Sequence, residues 1–148
     1  MNVEAIYEQL KIDEGIVCEI YLDHLGYKTF GVGHLVRESD PEWEYEVGEP
    51  VPVERVLECF KSDLAVAISE CTALYGVDVW EGFPGEVQEI LVNMMFNLGR
   101  PRLGQFRKMK TCLLISDWKG AAAEGRNSKW ATQVGNRAER LMTRLENV

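Results

Sequence analysis

The sequence lacks several features that each point to a particular class of protein. It contains no run of about 20 apolar residues, the length that a membrane-spanning helix needs. Its first residues carry neither a basic segment nor the apolar stretch of a signal peptide. No low-complexity tract interrupts the 148 residues, which is enough chain for one folding unit or two closely packed lobes. We therefore predict no signal peptide and no membrane partner.

Residues that hold metals or form disulfides are few and scattered. The chain has two histidines and four cysteines, and no two cysteines form a C-x-x-C pair. Structural zinc sites and disulfide frameworks both need clustered ligands or regular cysteine spacings. We therefore predict free thiols, mostly buried, and no metal site.

Positive charge is also in short supply. Lysine and arginine number 16 against 24 acids, which gives a net charge of −8. A nucleic-acid binder normally presents a basic face, so we predict no nucleic-acid partner. Acids are dense between Glu38 and Glu58, whereas basic residues cluster between Arg100 and Lys110. One wall of a binding site can therefore be positively charged. Because the net charge is negative, long-range attraction of an anionic ligand should still be weak.

The first half of the chain predicts a helix, a hairpin and a second helix. Apolar residues recur at helical spacing over 3–12, with Asn2 as N-cap and Gly15 beyond the end. Strand-rich segments at 17–22 and 27–33 flank an Asp-His-Leu-Gly turn. Residues 37–52 are rich in proline and acids, which predicts a loop with an edge strand near Trp43–Val47. A long helix should begin near Val53.

The second half predicts helices alone. Apolar residues from Val87 to Met95 mark a buried central helix that ends at Gly99, followed by a loop to Gly104. A short helix should cover 107–115, and Ser116 should cap the next, Asp117–Gly125. The predicted fold class is α+β and mainly α.

Two carboxylates on neighbouring elements suggest acid–base chemistry. Glu14 lies at the predicted C-terminal end of the first helix, where the helix dipole and the apolar residues Ile12, Ile16 and Val17 favour its protonated form. Asp23 lies in the hairpin turn, where solvent keeps a carboxylate ionised. Hydrolysis of a glycosidic bond needs such a pair, one acid to protonate the leaving oxygen and one base to activate water.

Two motifs resemble one known family. The run D-E-G…Y-x-D-x-x-G-Y-x-T-x-G-x-G-H, from Asp13 to His34, and the pattern W-x-x-Q-x-x-N-R-A-x-R, from Trp130 to Arg140, resemble the lysozymes of T-even-type tailed phages. These are muramidases, which cleave peptidoglycan. The resemblance implies a single two-lobed domain with a cleft between the lobes. Residues 13–52 would form the small β-containing lobe, 53–73 the connecting helix, and 1–12 with 74–148 the helical lobe.

The resemblance also implies roles for individual residues. Glu14 would be the general acid, and Asp23 would be the general base that activates water with the help of Thr29, inverting the configuration without metal or cofactor. The remaining positions would contact substrate or support the site. Leu35 and Phe96 would contact substrate, His34 would pair with Asp63, Arg137 would lie against Glu14, and Asn97 and Gln133 would be supporting residues. Met109 and Glu124 stand where the family uses other residues for substrate contact.

The same resemblance suggests a monomer whose partner is bacterial peptidoglycan. It would remain in the cytoplasm of an infected bacterium and act on the wall after release. Two alternatives stay open. One is a peptidoglycan-binding module that no longer hydrolyses, and the other is a related wall enzyme, such as a lytic transglycosylase or a bacteriocin-like toxin domain.

Overall fold

The computed structural model describes all residues, 1–148, and the chain forms eight α-helices, one short 3₁₀ helix and three strands. The helices are α1 (Val3–Glu14), α2 (Val53–Tyr75), α3 (Val77–Gly82), α4 (Gly85–Leu103), α5 (Arg107–Leu114), α6 (Trp118–Arg126), α7 (Lys129–Val134) and α8 (Asn136–Glu146). The strands are β1 (Val17–Leu22), β2 (Lys28–Gly31) and β3 (His34–Leu35), and the 3₁₀ helix is Pro41–Glu44. This confirms the predicted α+β, mainly α, fold class. No helix combines the length and the apolar character required to cross a bilayer.

The chain divides into two compact units. Tyr7–Val66 form one, here called the hairpin unit, and Met1–Ile6 with Ala67–Val148 form the other, the helical unit. The boundaries fall inside α1 and α2, so each of these helices contributes residues to both units. That the two units work as a single domain stays a prediction.

The sheet of the hairpin unit is antiparallel, with strand order β1-β2-β3. Tyr21 on β1 pairs with Thr29 on β2, and Phe30 pairs with His34 on β3. Gly31 ends β2 at φ +68°, and a Cβ there would lie 3.1 Å from a methyl group of Val56 on α2. Glycine at this position therefore lets the strand backbone pack closely on the helix.

The residues at its two ends explain where α1 begins and where it ends. Asn2 Oδ1 accepts a hydrogen bond from the Ala5 N–H at 3.0 Å, which confirms it as the N-cap. The helix ends at Glu14, and Gly15 at φ +77° turns the chain into β1. Glu14 thus stands at the helix C-terminus, as predicted.

The predicted edge strand near Trp43–Val47 is wrong. The chain there forms the 3₁₀ helix Pro41–Glu44, because Pro41 fixes a helical φ at the first position and lacks an N–H for strand pairing. Only an isolated bridge between Glu19 and Pro50 continues the sheet on that side.

The helical unit is built around α4. Its side chains from Ile90 to Met95 are all buried, which confirms the predicted central helix. The Cys71 thiol donates to the Leu91 carbonyl at 3.8 Å and so joins the end of α2 to this helix. At Gly99 the backbone leaves the helical region with φ 75° and ψ 162°, and a further helical turn follows to Leu103 in place of the predicted loop.

Two other features of the helical unit differ from the prediction, namely the cap of α6 and the presence of helix α3. Asp117, not Ser116, caps α6, since its Oδ1 accepts the Gly120 N–H at 2.9 Å while Ser116 adopts a positive φ of 58°. Helix α3 had not been predicted. It buries Trp80 against Tyr75 and Phe83, with ring centroids 6.4 and 6.2 Å from that of Trp80.

Candidate active site

The Glu14 carboxylate lies against the backbone that follows β2. A Cβ built on Gly33 would be 3.5 Å from Glu14 Oε2, and Gly33 adopts φ +65°. The glycine therefore leaves room beside the carboxylate where any other residue would place a side chain in a strained conformation. Glu14 itself is half-buried.

Asp23 is held by the turn that it begins. Its Oδ1 accepts the N–H groups of Leu25 and Tyr27, each at 2.9 Å, and its own N–H donates to the Tyr27 carbonyl. This is the side-chain-to-backbone pattern that makes aspartate common in turns. One carboxylate oxygen is thus fixed by the backbone, which orients the other.

Thr29 and Tyr21 face the same side of the sheet, because they are cross-strand partners on β2 and β1. Thr29 is buried, and its Oγ1 donates to the Tyr27 carbonyl at 3.0 Å. Burial raises the pKa of Tyr21, and the negative charges of Glu14 and then Asp23 raise it further. Both carboxylates therefore lie within electrostatic reach of one hydroxyl. The sequence analysis had not singled out Tyr21.

His34 is held by two aspartates. Its Nδ1 lies 2.7 Å from Asp63 Oδ2 on α2, which confirms the predicted ion pair, and its Nε2 lies 2.9 Å from Asp40 Oδ2. Burial alone would lower the pKa of His34, but the hydrogen bonds and charges of Asp63 and Asp40 outweigh it and hold the pKa above its ordinary value. The second partner, Asp40, had not been predicted, since nothing in the local sequence brings it to the ring.

Asp40 continues the network to Arg55 on α2. Arg55 Nη2 lies 3.4 Å from Asp40 Oδ1 and 2.8 Å from Glu42 Oε1, and its Nε donates to Glu42 as well. Glu42 is 4% exposed, so this pair fixes the 3₁₀ helix to α2. Burial raises the pKa of the neighbouring Cys59 to about 11, so that thiol is not a nucleophile at neutral pH.

In the helical unit, two of the predicted supporting residues lie in well-defined hydrogen bonds. Arg137 is buried on α8, where its Nε donates to Asn93 Oδ1 at 3.0 Å and its Nη2 to the Asn93 carbonyl at 3.2 Å. Asn97 Oδ1 accepts the indole N–H of Trp130 at 2.6 Å. Asn93, which is not among the predicted site residues, therefore helps to orient the Arg137 guanidinium.

A pocket of about 510 Å³ opens on the helical unit. Phe106, Met109 and Trp130 supply apolar surface, and Glu124 supplies the single acid among the lining residues. Four basic side chains line the rest: Arg102, Arg107, Lys108 and Lys129. We call it the basic pocket. Met109 and Glu124, the two departures from the family pattern, thus share one cavity.

The other predicted site residues occupy separate places. Gln133 lines the basic pocket and accepts a hydrogen bond from Arg102 Nη2 at 3.2 Å. Leu35 is exposed on β3 in the hairpin unit, while Phe96 is half-buried on α4 in the helical unit. Their contact with substrate stays a prediction, as does the pairing of Arg137 with Glu14.

Comparisons with known proteins identify the family of this chain. A family model described as phage lysozyme matches residues 11–147. Two probable T4-type lysozymes of Dictyostelium discoideum are each 27% identical over 161 residues, covering 97% of this chain and 95% of the relative. The pre-baseplate central spike protein Gp5 of Enterobacteria phage T4 is 28% identical over 93% of this chain, which spans only 27% of that longer protein.

Proposed function

Because the chain belongs to the phage lysozyme family, we propose that it is a muramidase acting on bacterial peptidoglycan. The bond cleaved would be the β-1,4 linkage between N-acetylmuramic acid and N-acetylglucosamine. The observation that supports this most directly is that both acids lie next to strand β2, since Glu14 Oε2 is 3.5 Å from the position of a Cβ on Gly33 and Asp23 Oδ1 accepts the Tyr27 N–H at 2.9 Å. Two carboxylates beside one sheet face are the minimum that glycoside hydrolysis requires.

In this proposal Glu14 is the general acid. It stands at the C-terminal end of α1, half-buried beside the backbone that follows β2. Gly33 leaves one side of the carboxyl group open to a substrate oxygen. Glu14 would protonate the leaving oxygen as the glycosidic bond breaks.

Asp23 is the general base. Its Oδ1 is engaged by two backbone N–H groups, so Oδ2 is the atom that would accept a proton from water. Because the Thr29 hydroxyl already donates to the Tyr27 carbonyl, it would act on this water as an acceptor. Asp23 and Thr29 would orient the water for attack on the anomeric carbon, with inversion of configuration.

Replacing Glu14 with Gln tests the acid. Amide nitrogen cannot supply the proton, so hydrolysis of purified peptidoglycan should fall by about 10²- to 10⁴-fold while the unfolding temperature stays close to wild type. The matched control is Glu8→Gln, an exposed acid on the same helix paired with Lys11 at 3.0 Å. The control should keep full activity.

The product identifies the reaction class. Hydrolysis with inversion releases a reducing end whose first-formed anomer is α, visible by NMR before mutarotation. A covalent intermediate on Asp23 would give the β anomer, and a transglycosylase would give an anhydro-sugar with no water incorporated. Full activity in Glu14→Gln, or an anhydro product from the wild type, would overturn the proposal.

A further inference from the structure

Exposed aromatic side chains surround a small pocket in the hairpin unit. The pocket holds about 340 Å³ and is lined by Gly26, Tyr27, Lys28, Val36 and Trp43. Tyr27 is 58% exposed and Trp43 is 49% exposed. Tryptophan is usually much more buried than this, and aromatic side chains grouped at a concave surface are typical of binding sites.

This pocket is not the proposed catalytic site. Lys28 and Thr29 are successive residues of β2, so their side chains point to opposite faces of the sheet. Thr29 shares its face with its cross-strand partner Tyr21, whereas Lys28 reaches the segment that contains Trp43. Lys28 and Trp43 therefore line the pocket from the side of the sheet away from Thr29, while Tyr27 lines its edge from the turn that precedes β2.

The pocket is held in place before any ligand binds. Lys28 Nζ donates to the carbonyls of Trp43 and Tyr45, at 3.3 and 2.5 Å, and so ties the 3₁₀ helix to β2. Glu42, next to Trp43, is buried and paired with Arg55 at 2.8 Å. A preformed aromatic surface avoids the entropic cost of ordering side chains on binding.

The surrounding charge selects the chemistry of the ligand. Glu44, Glu46 and Glu49 are exposed close to Trp43 in sequence, and the ammonium of Lys28 is already committed to two carbonyls. The negative charge of this segment disfavours an anionic ligand, because Lys28 is the one cation among the lining residues. The apolar C–H face of a sugar ring packs against the negative face of an aromatic ring.

We propose that Tyr27, Val36 and Trp43 form a second saccharide site that holds an uncharged pyranose, N-acetylglucosamine, of the peptidoglycan glycan strand. This inference rests on the proposed function for its substrate class. It gives the site a separate task, which is to anchor the insoluble polymer while Glu14 and Asp23 cleave it. The volume, at the low end for ligand pockets, fits one sugar ring.

Binding is measured in the Glu14→Gln protein, so that the polymer stays intact. Adding Trp43→Ala should weaken cosedimentation with insoluble peptidoglycan roughly tenfold, as expected for removing one aromatic anchor. Trp43→Phe keeps a ring and should restore most of the binding. Val47→Ala is the matched control, because Val47 is 56% exposed in the same segment but does not line the pocket. Circular dichroism checks that each variant is folded.

Two further measurements locate the site. In NMR titrations of Glu14→Gln with tri-N-acetylchitotriose, the amide signals of Val36 and Trp43 should shift, and Trp43→Ala should abolish the shift at Val36. In the otherwise wild-type protein, Trp43→Ala should lower the ratio of activity on insoluble peptidoglycan to activity on short soluble fragments. Unchanged cosedimentation, or no shifts at these amides, would overturn the inference. Neither result bears on the Glu14→Gln test of the proposed function. That test would fail if the variant still hydrolysed peptidoglycan.

Discussion

At the scale of single residues, the charged form of His34 is stabilised by contacts that the local sequence does not encode. The histidine and Asp63 are 29 positions apart and form the ion pair that the family pattern predicts. Asp40 completes the arrangement on the opposite ring nitrogen and also accepts the Arg37 N–H at 2.8 Å. A histidine with a carboxylate on each nitrogen is stabilised in its doubly protonated, positively charged form.

This arrangement predicts how stability depends on pH. The pKa of His34 is raised above its ordinary value of 6.5 in the folded protein, so its contribution is full below 6.5 and is lost as pH rises through the folded value. Despite the opposing effect of burial, the Arg37 N–H, His34 and Arg55 hold the pKa of Asp40 below its ordinary value of 3.8. Its contribution is present above 3.8 and is lost as pH falls through the lowered value. We expect these groups to stabilise the fold most in mildly acidic solution.

Asp40→Asn tests this expectation. The variant leaves His34 with Asp63 alone, so the loss of unfolding free energy between about pH 5 and 8 should be smaller than in wild type. Asp78→Asn is the control, an exposed acid in the first turn of α3 far from His34 in sequence. Urea unfolding across this pH range gives the profiles. Parallel profiles for Asp40→Asn and wild type would show that Asp40 does not influence His34.

Part of the candidate site could be predicted from the sequence and part could not. Glu14, Asp23 and Thr29 lie within one short segment, so their spacing carries a recognisable pattern. Asp40 contacts His34, and Asn93 contacts Arg137, only after the chain has folded. No periodicity or motif in the sequence predicts such contacts. Tyr21 was visible in the motif, but its position opposite Thr29 follows from the register of β1 and β2.

At the scale of elements, regular patterns were predicted well and short irregular ones were not. The apolar stripe of α2 and the buried run of α4 specify helices because their period is sustained over several turns. The segment around Trp43 contains alternating residues that suit a strand, yet Pro41 and the buried Arg55–Glu42 pair favour a 3₁₀ helix. Helix α3 is only six residues long, too short for a periodic signal, and tertiary burial of Trp80 accompanies its formation.

The packing of α6 on α8 predicts a mutational effect at Gly125. A Cβ built there would collide with the side chain of Met142, which is fully buried. Alanine favours a helix over glycine by about 1 kcal/mol, whereas overpacking a core costs about 1–3 kcal/mol. We therefore expect Gly125→Ala to lower the unfolding free energy, and Met142→Ala, which itself leaves a cavity, to remove most of the clash in the double variant.

Gly82 provides the control for this substitution. It lies in a helix, as Gly125 does, but a Cβ there would meet no atom within 4 Å. Gly82→Ala should leave stability unchanged or slightly increased in the same denaturation assay. A loss at Gly82 equal to that at Gly125 would show that backbone conformation, and not contact with Met142, determines the effect.

At the scale of the whole molecule, charge is distributed in a way that should govern the encounter with the wall. The net charge is −8, and acids crowd the hairpin unit from Glu38 to Glu58. The basic pocket of the helical unit gathers four cations around apolar surface. Peptidoglycan and its attached polymers are largely anionic. Approach is therefore opposed at long range, while a local patch attracts at short range.

This balance predicts an unusual response to salt. Raising the ionic strength from about 0.01 to about 0.1 M shortens the screening length from about 30 to about 10 Å, which weakens the long-range repulsion before it weakens contacts in the pocket. We expect the rate of lysis of intact peptidoglycan to rise severalfold over this range, through a lower KM and an unchanged kcat. Peptidoglycan stripped of acidic polymers and amidated at its stem carboxylates is the control, and its salt response should be much smaller. A rate that falls steadily as salt is added to the native polymer would mean that the basic pocket governs the encounter at all distances, despite the net charge of the chain.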